Sequence, residues 1–308
     1  MYKDIRVIFM GTPSFSVPVL EKLIEETNVV LVVTQPDKEV GRKKELSISP
    51  VKELAIEKNI PVFQPLKIRK DFEMIRELKP DIIITCAYGQ IVSQELLNIP
   101  PCGCINIHAS LLPKLRGSAP IQWAILNGDQ FTGVTLMYMD ATMDTGDMIA
   151  KEEVVIHMAE FFPSLYNRLS LVGRDLLMDN FKSIIDKTCK REKQNEEDAT
   201  YAPMIKREDE LINLNSSGKS IINKIRALNN TAYIILNNQE IKVLMASFNE
   251  IKTSKLPGSI YEVTKDKLSI CVSDGVLFLE KVKPMGKKEM DIKSYLNGIN
   301  KDKITCGE

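Results

Sequence analysis

Asp81-Ile82-Ile83-Ile84-Thr85-Cys86 is a β-branched run in which polar and apolar side chains do not alternate. A strand with one wet face alternates, whereas an inner strand of a parallel sheet, covered on both faces, reads as a nearly continuous apolar run. The flanks agree with that reading. Toward the amino end, residues 71–78 have helical spacing, 61–63 form a short strand, and 50–58 form a helix with Val51, Leu54 and Ala55 on one face. Residues 29–34 are a strand and 17–25 a helix through Val17, Leu20, Leu23 and Ile24. Ile5-Arg6-Val7-Ile8-Phe9-Met10 is a buried strand stopped by Gly11-Thr12-Pro13. Toward the carboxyl end, Cys104-Ile105-Asn106-Ile107-His108 and residues 134–139 are further strands. Strands separated by helices predict an α/β unit with a doubly wound parallel sheet.

A helix over 165–186 closes that unit, and the polar stretch 187–199 after it has no apolar period. Beyond it, a helix over 217–228 precedes short strand-like runs at 232–236, 241–246, 258–263, 268–272 and 276–282. Turn signals at Asn237-Asn238, Lys265-Asp266 and Asp274-Gly275 separate several of them, which predicts a small β-barrel or sandwich. The expected organisation is a catalytic domain over 1–188, a linker over 189–206 and a second domain over 207–308. A chain of 308 residues fits two domains at about 150 residues each.

With 44% hydrophobic and 27% charged residues, the composition excludes wholesale disorder. No apolar run reaches the roughly 18 residues of a membrane span. The amino end lacks the apolar core of a signal peptide, so a cytoplasmic protein is expected. The six cysteines are then expected to be reduced. Cys102-Gly103-Cys104 lacks the further ligands of a zinc site in a chain with only two histidines, and no metal is expected. Basic and acidic side chains number 41 each, yet residues 1–200 carry 24 and 28 while 201–308 carry 17 and 13. The second part can therefore meet a polyanion although the whole chain is neutral.

Ligands of open parallel sheets bind beyond the carboxyl ends of the strands. Two nucleotide signatures fail there. Gly11 has no partner glycines, and Ser217-Gly218-Lys219-Ser220 has Asn213 where a phosphate loop needs its first glycine. Asn106 and His108 alternate with apolar neighbours and so share one face of a strand that ends in a loop. An amide donor beside an imidazole can stabilise the oxyanion formed when a nucleophile adds to a carbonyl; a structurally hydrogen-bonded pair would give the same pattern. A carboxylate that fixed the imidazole tautomer would suit it to proton transfer. Asp140, Asp144 and Asp147 are three candidates for it that spacing does not separate. His157 has no such company and reads as a surface strand residue.

Asn106-x-His108, Ser110-Leu111-Leu112-Pro113-Lys114-x-Arg116-Gly117 and Met143-Asp144-Thr145-Gly146-Asp147 together resemble the 10-formyltetrahydrofolate-dependent formyltransferases. Phe9-Met10-Gly11-Thr12-Pro13, Thr34-Gln35-Pro36-Asp37-Lys38, Ala199-Thr200-Tyr201-Ala202-Pro203 and Gly286-Lys287-Lys288-x-Met290 extend the resemblance over essentially the whole chain. It implies a Rossmann-like formyltransferase domain followed by an OB-like β-barrel. Within the family the chain is most similar to members that act on aminoacyl-tRNA. That implies transfer of formyl from N10 of 10-formyltetrahydrofolate to the α-amine of methionine esterified to initiator tRNA. Asn106, His108 and Asp144 match the family's catalytic residues, and Ser110, Leu111, Leu112 and Pro113 its folate-binding loop. Tyr88, Gly89 and Ile91 are placed beside the pterin.

For the tRNA, the resemblance implies contacts from Arg42, Lys43 and Lys44 in a basic loop, from Lys206 and Arg207, and from Lys287 and Lys288. Lys219, Lys224 and Arg226 would add positive charge. Formyl-folate is then the cosubstrate, and a monomer without metal is expected. The chain departs from the family pattern at Leu115, often aromatic in relatives, and in a basic loop one glycine short of Gly-Arg-Gly-Lys-Lys. It also departs at Arg226-Ala227-Leu228-Asn229-Asn230, which lacks the tryptophan and proline often found there, and at Asn213-Leu214, which stands in place of a usual Asp-Trp. The rival readings are a sister enzyme acting on an amino-sugar nucleotide, a formyl-folate hydrolase, and a non-catalytic tRNA- or folate-binding protein.

Overall fold

A computed structural model describes residues 1–40, 45–300 and 304–307. They form two compact units. The first comprises Met1–Pro120, Phe131–Val155 and Tyr166–Pro203; the second comprises Ile121–Gln130, Ile156–Leu165 and Met204–Glu308.

In the first unit a seven-stranded sheet has the order β5-β2-β1-β6-β7-β8-β9. Its strands are β1 (Tyr2–Gly11), β2 (Thr27–Val33), β5 (Val62–Phe63), β6 (Ile82–Cys86), β7 (Cys104–His108), β8 (Phe131–Tyr138) and β9 (Met148–Val155). A separate hairpin of β3 (Lys38–Val40) and β4 (Glu45–Ser47) flanks the undescribed residues 41–44. The strands from β5 to β7 run parallel, and β6 is buried at every position, as its unbroken apolar run predicts. Helices α1 (Val17–Glu26), α2 (Pro50–Glu57), α3 (Glu73–Glu77) and α4 (Gln94–Leu97) connect them. The start of α2 is set by Ser49, whose hydroxyl accepts the Lys52 N–H at 3.1 Å, and by Pro50 at its first position. At the end of β1 a β-carbon on Gly11 would sit 2.9 Å from Ser16 Cβ and 3.0 Å from the Cys86 carbonyl oxygen. Glycine there lets the Ser16 hydroxyl reach that carbonyl at 2.5 Å.

The far edge of the sheet differs from the sequence expectation. Strand β8 runs antiparallel to both β7 and β9, so the two last strands break the parallel run, and β8 begins at Phe131 rather than 134. The central residues of β9, Lys151-Glu152-Glu153, are exposed. Charges on an edge strand block pairing with other chains, and they also erase the apolar pattern by which a strand is read. Helix α5 (Pro120–Asn127) follows β7, and α6 (Phe162–Ile185) starts three residues before the expected 165. Among the described residues no helix is long and apolar enough to cross a membrane.

The second unit is antiparallel and nearly closed into a barrel, in the order β12-β13-β14-β11-β10-β16 with β15 on β14. Its strands are β10 (Tyr233–Leu236), β11 (Gln239–Asn249), β12 (Ile260–Val263), β13 (Leu268–Val272), β14 (Gly275–Pro284), β15 (Met290–Asp291) and β16 (Cys306–Gly307). Asn237 and Asn238 join β10 to β11 with φ of 50° and 58°, the left-handed pair that a two-residue hairpin turn requires. Helix α7 (Gly218–Leu228), capped by the Ser217 hydroxyl, buries Ile221, Ile225 and Leu228; α8 (Ile292–Asn297) follows β15.

Candidate active site

Two-residue periodicity puts Asn106 and His108 on one face of β7, where Asn106 pairs with Thr85 of β6 and Met137 of β8. The single proton of the buried Thr85 hydroxyl is within reach of Asn106 Oδ1 at 3.1 Å and of the Ile105 carbonyl at 3.0 Å. With its oxygen facing that donor, the Asn106 amide keeps its two N–H groups for another acceptor. His108 is 6% exposed, and its Nε2 lies 3.0 Å from the Leu115 carbonyl oxygen. A carbonyl only accepts, so Nε2 carries the hydrogen and Nδ1 is the nitrogen left to exchange a proton.

Nδ1 faces Asp144 Oδ2 at 3.7 Å, an ion-pair separation longer than a hydrogen bond. The structure thus separates the three carboxylates that spacing could not. Asp140 is occupied by the Thr142 N–H and hydroxyl and by the Thr145 hydroxyl, and Asp147 accepts from Arg191 Nε at 3.1 Å. Asp144 is the one beside His108, and its Oδ2 also accepts the Gly117 N–H at 2.9 Å.

Between His108 and Gly117 the loop is pinned from several sides. Thr135 Oγ1 donates to the Ser110 carbonyl at 2.7 Å and accepts the Leu112 N–H at 3.1 Å. The Ser110 hydroxyl donates to the Lys114 carbonyl at 2.6 Å, so it is spent inside the loop. Leu112 packs against Met137 and Met148, while Leu111 and Pro113 are half-buried. Residues 189–203, within the 189–206 stretch expected as a linker, belong to the first unit. Leu115 N–H donates to Thr200 Oγ1 at 2.9 Å, and the Arg116 backbone bonds to Thr200 and Ala202 at 2.8 and 2.7 Å.

Beyond β6 the structure distributes the expected residues unequally. The Tyr88 ring is 5% exposed and packs in the core with Ile68, Phe72 and Val92, so its side chain lines no open surface. Burial pushes its phenol well above the usual range. Its backbone carbonyl accepts from Thr12 Oγ1 at 3.0 Å and Gln35 Nε2 at 3.1 Å. Gly89 has φ of 86° and Ile91 is 65% exposed. A residue without a side chain beside an apolar wall leaves room for a flat heterocycle. Thr12, Gln35, Thr85 and Gln194 drew no site role from the sequence, because single neutral polar residues in loops or strands carry no periodic signal. Among the described residues no group of three His, Cys, Asp or Glu side chains could hold a metal ion.

The basic candidates fall into three groups. Arg42, Lys43 and Lys44 lie outside the described residues. Lys206, Lys219, Lys287 and Lys288 are exposed, with Lys206 Nζ 3.5 Å from Glu208. Arg207 is exposed but paired with Glu210 and Glu240, and its guanidinium stacks 4.3 Å from the Tyr233 ring centroid. Two others are not surface cations at all. Arg226 is 7% exposed and donates to the carbonyls of His157, Met158 and Glu160, and half-buried Lys224 donates to the Leu211 carbonyl at 2.8 Å. Burial lowers the pKa of both. His157 itself is exposed, just past the end of β9.

A parallel sheet ending in an Asn-x-His strand, with a carboxylate brought to the imidazole, agrees with the comparisons to known proteins. The model for the formyl transferase family matches residues 3–181, and that for the formyl transferase C-terminal domain matches 204–300. The chain belongs to the formyl transferase family. Among its relatives, the methionyl-tRNA formyltransferase of Bacillus licheniformis is 48% identical over 299 residues, 95% of each chain. That of Bacillus subtilis is 46% identical over 301 residues, 96% of this chain and 95% of the other. Among solved structures, an N-formyltransferase from Helicobacter canadensis in complex with folinic acid and dTDP-3-aminofucose superposes with a TM-score of 0.68 at 22% identity, covering 91% of this chain and all of the other. HypX from Aquifex aeolicus with tetrahydrofolic acid gives a TM-score of 0.61 at 18% identity, covering 96% of this chain and 47% of the other. Likeness at that identity establishes the fold.

Proposed function

We propose that this chain transfers a formyl group from 10-formyltetrahydrofolate to the free α-amino group of methionyl initiator tRNA, giving N-formylmethionyl-tRNA for translation initiation. The observation that carries the reading is the meeting of His108 and Asp144, 36 positions apart, beside the free amide donors of Asn106. Bound formyl-folate supplies an activated formyl carbon on a nitrogen that can leave. The Asn106 N–H groups meet the formyl oxygen as it gains negative charge, the usual task of an oxyanion donor. His108 Nδ1 takes the proton that the attacking amine sheds and returns it toward the departing nitrogen. The Leu115 carbonyl holds the ring by Nε2–H, and the Asp144 carboxylate complements the charge on the ring while it holds both protons.

The loop over Ser110, Leu111, Leu112 and Pro113 and the backbone at Tyr88 and Gly89, with Ile91, hold the folate. Arg42, Lys43, Lys44, Lys206, Lys287 and Lys288, with Arg207, engage tRNA phosphates. The enzyme works in the cytoplasm as a monomer, and the reaction needs no metal. Its test is formyl transfer from 10-formyltetrahydrofolate to charged initiator tRNA, with charged elongator methionine tRNA as control. Rapid formylation of the initiator alone supports the reading. Formylation of neither, with folate still bound, overturns it in favour of another acceptor amine or of water.

A further inference from the structure

Arg116 is 1% exposed, and a buried guanidinium needs a partner for each of its donors. It spends them on the segment that follows the first unit's last helix. Nε and Nη2 both donate to Gln194 Oε1, at 2.9 and 2.8 Å. Nη1 and Nη2 grip the two oxygens of Glu196, each at 2.8 Å, as a planar fork on a carboxylate. Gln194 then turns its Nε2 onto two carbonyls, those of Asp144 at 2.8 Å and Gly146 at 2.9 Å. Both amide protons and both oxygen lone pairs are thereby used. Exchanging O and N would set oxygen against two carbonyl oxygens and NH2 against a guanidinium, so the chemistry assigns the orientation.

Asp144 needs such a hold. Its φ of 56° is left-handed, a conformation that a non-glycine residue keeps only where its surroundings impose it. The Gly117 N–H, next to Arg116 in the chain, fixes the carboxylate end, and Gln194 fixes the backbone end.

We propose that Gln194, oriented by Arg116, is a positioning residue for formyl transfer: it sets the left-handed backbone of Asp144 and so the approach of its carboxylate to His108. Gln194 touches neither substrate nor reacting atoms. The proposal rests on the reading that His108 and Asp144 act as a pair.

The experiment is a double-mutant cycle on the full chain with formyl-folate and charged initiator tRNA, comparing Gln194→Met, Asp144→Asn and the double variant. Gln194→Met keeps the side-chain length and removes the amide. It is expected to lower kcat by roughly 10–10²-fold, the scale of a small misplacement of a catalytic group, with KM for either substrate within about twofold. On the Asp144→Asn background the same change is expected to cost no more than about twofold, because residues acting through one group are not additive. Independent, additive losses overturn the proposal, as does a loss confined to KM. An unchanged kcat in Gln194→Met beside an impaired Asp144→Asn overturns it too. An Asp144→Asn enzyme with full kcat overturns the underlying pairing instead. Should Gln194→Met not fold, Glu196→Gln, at a side chain 69% exposed, tests the same relay: it is expected to give a smaller kcat loss that also vanishes on the Asp144→Asn background, and an additive or absent loss overturns the proposal.

Discussion

The candidate catalytic residues of the first unit and the candidate phosphate contacts of the second use their polar side chains in opposite ways. In the first, His108, Ser110, Arg116 and Thr135 are buried, and each meets a partner at 3.0 Å or less. In the second, Lys287 and Lys288 stand in solvent, Lys206 lies 3.5 Å from Glu208, and Arg207 is held by two carboxylates and an aromatic ring. A reaction that develops charge on one oxygen needs donors aimed beforehand, and burial makes each of them count. Binding a polyanion needs only enough exposed cations to displace its counterions, at the expense of salt sensitivity. The lesson is that a basic residue in the sequence says little until its surroundings are known. Arg116 and Arg226 are structural, Arg207 is largely neutralised, and Lys287 and Lys288 are open.

The largest effect should come from the preorganised side of this contrast. Asn106→Ala is expected to lower kcat by roughly 10²–10³-fold, the cost of one oxyanion donor; near-normal single-turnover rates would remove it from that role. Gly146→Ala comes next. A β-carbon there would lie 1.8 Å from the Tyr138 carbonyl oxygen, so the loop must move and take Asp144 with it. A stability loss of about 1–3 kcal/mol is expected in denaturant titrations. Turnover should fall about tenfold at a temperature where the variant stays folded, and full activity would show that the approach to His108 tolerates movement.

On the exposed side the effects are smaller. Lys287→Ala and Lys288→Ala should each flatten the dependence of log KM for tRNA on log salt by about 0.9 for every phosphate the lysine neutralises. Arg207→Ala should change the slope least, because Glu210 and Glu240 already neutralise it. Equal slopes for all three variants would erase the distinction between open and neutralised cations. The smallest effect concerns Cys86, whose thiol burial pushes up to about 12 from 9.0, against a smaller opposing contribution from Ser16. Between those values the unfolded chain releases the proton and the folded chain keeps it. This contribution to stability is therefore whole below about pH 9 and is lost as pH rises toward 12. Denaturation midpoints from pH 8 to 10 should fall more steeply in the native chain than in Cys86→Ala, and parallel curves would acquit the thiol.

Much of the first unit was legible because its inner strands are continuous apolar runs: β7 spans the residues expected of it, and alternation within it put Asn106 and His108 on one face. The strand β9 was not, since Lys151, Glu152 and Glu153 at the sheet edge hide its period. In the second unit the turn at Asn237-Asn238 was readable from its composition. Choosing among Asp140, Asp144 and Asp147 required the loop's path, which depends on Gly117 and Gln194 from other parts of the chain. Tyr88 shows the limit most plainly. The resemblance placed it beside the pterin, but its ring packs in the core and its carbonyl is bonded to Thr12 and Gln35, because nothing local sets which way a loop side chain turns. The partners of Arg116 lie 78 and 80 residues away, beyond the reach of any local pattern.

That distance has a bearing on where this catalytic module can be cut and transplanted. A fragment ending at residue 188, just past the last helix of its sheet, would strip Arg116 of Gln194 and Glu196 and Leu115 of Thr200. A buried guanidinium without its partners costs on the order of 3–5 kcal/mol, enough to unseat a small domain. Any cut that keeps these bonds must fall beyond Ala202, and it still parts residues 121–130 and 156–165 from the second unit to which they belong, so the module cannot be lifted out by a single joint.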